Sequence, residues 1–98
     1  MDEERIVAKK RTVPRPFSFH WGGGQIVEEA TFASEWNEPT VQLLEYEDGS
    51  VTLRFCSYTH RGQFQRSPFM IDGKEMDALK AAIKQAPRLR ALLKKMVD

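Results

Sequence analysis

The chain has 98 residues, 41% of them hydrophobic and 30% charged, which fits one small domain with a single core. Two histidines and one cysteine offer no standard zinc spacing and no internal disulfide, and no apolar run approaches the roughly 20 residues needed to cross a bilayer. The net charge of +1 hides a division: residues 1–49 carry ten acids and five bases, residues 50–98 four acids and ten bases. Charge divided this way marks either a face with a purpose or acidic and basic segments that pair across a sheet.

Residues 1–15 read as a flexible arm, charged and without period, ending in Pro14 and Pro16 around Arg15. Its basic Lys9, Lys10, Arg11 and Arg15 can add non-specific phosphate contacts, or form a solvated tail. Residues 16–98 are then the folded domain. The arm has no apolar core of signal-peptide type. Together with the lone Cys56, this leads to the expectation of a reducing, cytoplasmic setting, nucleoid-associated if the source is bacterial.

Phe17, Phe19 and Trp21 alternate with Ser18 and His20, a strand pattern that Gly22, Gly23 and Gly24 are expected to end. Residues 25–33 read as another strand, with a helix left open by Glu28, Glu29 and Ala30. Asn37-Glu38-Pro39 reads as a turn. Val41–Glu47 and Val51–Thr59 are strands around Asp48-Gly49, a hairpin signal of the type I′ kind. His60-Arg61-Gly62 makes a second turn before a strand over Gln63–Ile71.

The second turn sets register. With a three-residue loop and Gly62 in the left-handed position, Val51, Leu53, Phe55, Phe69 and Ile71 share one face, expected to be the core. Arg54, Cys56, Tyr58, Phe64, Arg66 and Pro68 share the other, with Tyr58 opposite Phe64. Asp72 and Glu75 form a capping-box pattern for a helix with Met76, Leu79 and Ile83 on one side. Pro87 opens a second helix with Leu89, Leu92, Leu93 and Met96 as its stripe. The expected fold is therefore α+β: an antiparallel meander of four to five strands followed by one or two C-terminal helices.

Catalytic patterns are weak. A lone strand cysteine near His60 is more often a packed side chain than a nucleophile. The run His20-Trp21-Gly22-Gly23-Gly24 has no G-x-S-x-G elbow beside it. No phosphate-binding loop or dinucleotide fingerprint occurs. No enzyme activity, cofactor, metal site or small-molecule substrate is expected.

The segment between Asp48 and Asp72 carries three arginines and no acid. Single strands are bound by positive grooves with aromatic side chains on which bases stack, at about 1–3 kcal/mol per base. Arg54, Tyr58, His60, Arg61, Phe64 and Arg66 are the candidate nucleic-acid-binding residues. Tyr58 and Phe64 equally fit a cross-strand pair that stabilises the sheet, or part of a dimer interface.

Residues 52–83 resemble the transcriptional positive cofactor four family of single-stranded DNA-binding proteins, including its small bacterial members. The resemblance lies in TLRFCSY, GQFQRSPFMI and DGKEMDALKAAI: a strand with an Arg followed by an aromatic, a turn, a strand with Arg66 and the alternating apolar pair Phe69 and Ile71, then a polar cap and a helix. Pro68 stands where the family has Gly, and the Pro87-started helix is additional. The resemblance implies a homodimer that binds single-stranded or locally melted DNA with little sequence specificity, as a coactivator-like factor in transcription, replication or repair. It places Arg54, Tyr58, Phe64 and Arg66 among the contacts. The alternative is a protein-interaction module that uses the basic C-terminal helix or the acidic 28–48 segment.

Overall fold

The computed structural model describes residues 11–65 and 68–98. Five antiparallel strands lie in sequence order: β1 (Arg15–Phe19), β2 (Gly22–Thr31), β3 (Glu38–Tyr46), β4 (Val51–Tyr58) and β5 (Phe69–Asp72). A 3-10 turn over Gly73–Glu75 leads into α1 (Met76–Lys84) and then α2 (Pro87–Val97). The α+β meander with two C-terminal helices is thus as expected.

Both central hairpins close in the same way. Gly49 N–H donates to Tyr46 O, and Gly62 N–H donates to Thr59 O, each at 2.9 Å. Both glycines have φ of +89°, a region that side-chain-bearing residues rarely enter. The second loop is therefore the expected three-residue His60-Arg61-Gly62. The first is one residue longer than the expected two-residue turn, with Glu47 and Asp48 central and Gly49 closing it. Asp48 Oδ1 also accepts from Ser50 N and Oγ.

The turns set which residues share a face. Phe55 pairs with Phe69 and Leu53 with Ile71, while Tyr58 bridges to Phe64. Between Phe64 and Phe69 the register on β4 advances by two residues, which leaves the faces unchanged. β5 is shorter than the expected Gln63–Ile71 strand, and Phe64 holds only an isolated bridge.

The glycine run belongs to β2 rather than ending β1. Gly24 pairs with Phe17 on one side and Tyr46 on the other. A Cβ there would meet the Glu45 carbonyl oxygen and the Tyr46 Cα. With no side chain between them, the Phe17 and Tyr46 rings meet edge to face at 5.2 Å.

The expected assignment of core and outer face is reversed. The face carrying Leu44, Gln42, Thr40 and Glu38 of β3 and Thr52, Arg54 and Tyr58 of β4 is the buried one. The apolar face is half-exposed, with Phe69 62% exposed. The polar face can be buried because its groups satisfy one another and because Arg11 and Arg15 join them. The expectation of a free arm through residue 15 therefore does not hold for these two arginines.

The capping box does not form. Asp72 makes no side-chain cap to the turn that follows it. Its Oδ1 instead accepts from Thr52 Oγ1 at 2.8 Å, across the sheet. Pro87 does open α2. Leu89, Leu92, Met96 and Val97 along that helix are exposed, and the main neighbours of α1 are α2 and the 3-10 turn. No helix among the described residues is long and apolar enough to cross a membrane.

Candidate functional site

Gln42 stands at the middle of the buried polar face. Its Nε2 donates to Glu29 Oε2 at 2.6 Å and to Tyr58 Oη at 2.9 Å. Its Oε1 accepts from Arg54 Nε at 2.6 Å and from Cys56 Sγ at 3.4 Å. The residues come from β2, β3 and β4, whose antiparallel register sets Glu29, Gln42 and Arg54 side by side. One amide thus ties three strands through its full donor and acceptor capacity.

Two arginines close this face from the N-terminal side. Arg15 Nη2 donates to Glu29 Oε2 at 2.7 Å and to Tyr58 Oη at 3.3 Å. Arg11 pairs with Glu29 at 3.4 Å and with Glu38 at 3.6 Å. It also donates to the hydroxyls of Thr31 and Thr40. Burial pushes the Glu29 carboxyl up, but hydrogen bonds from Arg15 and Gln42 and the charges of both arginines outweigh it, and the net direction is down. Part of the acidic first half is therefore neutralised inside the fold, while Glu28, Glu35, Glu45, Glu47 and Asp48 are exposed.

The candidate contact residues separate into two groups. Arg54 and Tyr58 are only 6% and 7% exposed, which corrects the expectation that they present an open stacking surface. Arg54 Nε and Tyr58 Oη are bonded within the sheet, and the Arg11 guanidinium covers the Tyr58 ring. Both were expected on one outward face because their alternation is right; the N-terminal arginines that cover that face lie too far away in sequence for spacing to reveal.

Phe64 and Arg61 form the second group and are exposed. The Phe64 ring meets Tyr58 edge-on at 5.4 Å. The Arg54 guanidinium lies over it at 4.8 Å. Tyr58 and Arg54 therefore pack against Phe64 from the buried side. His60 is half-exposed and links two loops: Nδ1 faces Glu38 Oε2 at 3.4 Å and Nε2 faces the Glu35 carbonyl at 3.3 Å. Arg66 lies outside the described residues.

Cys56 is half-buried. Burial pushes its thiol up, and the charge of Arg54 offsets this only in part. The group is held protonated and bonded to Gln42.

Two exposed aromatics near this end of the sheet, Phe32 and Trp36, were not among the expected site residues. They lie in the loop between β2 and β3: the expected strand over 25–33 ends at Thr31, before Phe32, and the expected turn at Asn37-Glu38-Pro39 is displaced, since Glu38 and Pro39 already belong to β3. Their exposed position beside the β4 exit loop depends on strand order.

No family model, curated protein or solved structure matches the chain. The resemblance over residues 52–83 rests on its residue pattern alone.

Proposed function

We propose that the protein binds single-stranded or locally melted DNA with little sequence specificity, and that it does so as a homodimer. The observation that carries the reading is Phe64: an exposed ring backed by Tyr58 and Arg54, three residues after the exposed Arg61 in a stretch of sequence without acids. A ring held in place before binding loses little freedom when a base stacks on it. Arg61 supplies charge for a neighbouring phosphate. The resemblance to the positive cofactor four family supports the same ligand and points to a role as an accessory factor in transcription, replication or repair.

The homodimer is supported by the other face. Val41, Leu43, Leu53, Phe55, Phe69 and Ile71 make an apolar surface of which no member is fully buried within one chain. Contiguous apolar area of this kind marks an interface, and a second copy supplies an identical, self-complementary surface.

The test is fluorescence polarisation of labelled oligo-dT at low salt, competed with unlabelled single strand and with duplex of the same length. Binding displaced by single strand well before duplex is the expected result. No binding at low salt, or equal displacement by both, overturns the reading.

A further inference from the structure

The β2–β3 loop presents aromatic surface that the reading above does not use. Trp36 is 81% exposed and Phe32 61%. An exposed tryptophan on a mobile loop would mean little, but this loop is tightly built. Ser34 N–H donates to Asn37 O at 2.8 Å. Ser34 Oγ accepts from the backbone N–H of Trp36 and of Asn37 and donates to the Asn37 carbonyl. The turn is hydrogen-bonded from within, yet it leaves the indole outside.

The same loop is laced to the one that carries Phe64. Asn37 Nδ2 donates to Gln65 Oε1 at 3.3 Å, and His60 bridges from its own turn to the Glu35 carbonyl and the Glu38 carboxylate. Two loops far apart in sequence are therefore joined at one end of the sheet. That end offers two exposed aromatic positions, an exposed arginine at Arg61, and amide groups at Asn37 and Gln65.

We propose that Trp36, with Phe32 beside it in the chain, is a second base-stacking position for the same nucleic-acid strand. The inference rests on the single-strand reading and extends it by a residue that the resemblance does not reach. A single strand has a π-face at every base, so aromatic positions on two linked loops suit it. Glu35 sits next to Trp36 and is exposed. Its charge opposes a phosphate there, so the base rather than the backbone faces this loop.

The test separates the two tryptophans. In Trp21→Phe, Trp36 is the only indole; in Trp36→Phe, the reporter is Trp21 in the β1–β2 turn, stacked on Phe19 at 4.7 Å. Labelled oligo-dT is titrated while polarisation and tryptophan emission are read in the same sample. Trp36 emission should fall in step with polarisation in Trp21→Phe, and emission should stay flat in Trp36→Phe. Trp36→Ala should weaken binding about 5- to 100-fold, with an unchanged circular dichroism spectrum, and Glu35→Gln should tighten it. If polarisation rises while Trp36 emission stays flat and Trp36→Ala binds as the parent does, the inference is overturned and the single-strand reading stands. If polarisation does not rise at all, both fall.

Discussion

The Arg11 guanidinium lies 3.7 Å from the centroid of the Tyr58 ring. It joins a residue before the first strand to one at the end of the fourth. Around this contact the sheet buries a polar face, and the buried face determines which aromatics remain outside.

Arg11→Ala leaves Glu29 and Glu38 with one cation fewer beside them. Urea unfolding should show a loss of about 2–3 kcal/mol, the scale of hydrogen bonds to charged groups. Arg11→Lys should fall between, since an ammonium keeps the charge but not the planar fork. Unchanged stability in Arg11→Ala would mean that the contact does not hold the face together.

Acid should weaken the fold through Glu29. Its carboxyl is lowered in the folded protein, so the unfolded chain takes up the proton more readily. The stability it contributes is complete above about pH 5 and is lost as pH falls through the carboxylate range. Urea midpoints compared at pH 7 and pH 4 should fall, and Glu29→Gln should reduce that difference while lowering stability at neutral pH.

Tyr58 and Phe64 should separate stability from binding. Tyr58→Phe removes the hydroxyl that accepts from Gln42 and Arg15, at a cost of about 1 kcal/mol in stability, and keeps the ring behind Phe64. Its oligo-dT affinity should stay near that of the parent. Phe64→Ala should unfold at nearly the parent's urea midpoint and bind oligo-dT several-fold to 100-fold more weakly. The opposite pattern would place the contact on Tyr58.

Phe55→Glu places a charge on the apolar sheet face. Sedimentation equilibrium should show a dimer for the parent chain and a monomer for this variant. A parent chain that sediments as a monomer at micromolar concentration contradicts the proposed assembly.

Much of the fold was legible. Gly49 and Gly62 marked the two central turns, and strict alternation on β4 placed Leu53 and Phe55 opposite Arg54, Cys56 and Tyr58. The three-residue loop at His60-Arg61-Gly62 gave the right faces because an αL glycine at its end is a strong local constraint, but it did not show that Phe69 would pair with Phe55 rather than Leu53. What alternation cannot show is which of two faces becomes covered. Gln42, Thr40 and Thr52 look like solvent-facing residues until Arg11 and Arg15 arrive from another part of the chain to pair with Glu29 and Glu38. Asp72 looked like a cap for the same reason: Thr52, its partner, is adjacent only once β5 is paired. Of the candidate contacts, Phe64 and Arg61 kept an exposed position and Arg54 and Tyr58 pack behind Phe64; Trp36, outside that set, lay in a loop without any periodic pattern to draw notice.

The central claim is that Phe64 and Arg61 present a stacking and phosphate contact to single-stranded DNA. The most direct measurement is oligo-dT affinity for the parent, Phe64→Ala and Arg61→Ala over a series of salt concentrations. The logarithm of affinity should fall linearly with the logarithm of salt for the parent. Phe64→Ala should lie below it with the same slope, and Arg61→Ala should have a slope shallower by about 0.7, the contribution of one phosphate contact on a single strand. Three superimposed lines, or no saturable binding at the lowest salt, would contradict the account.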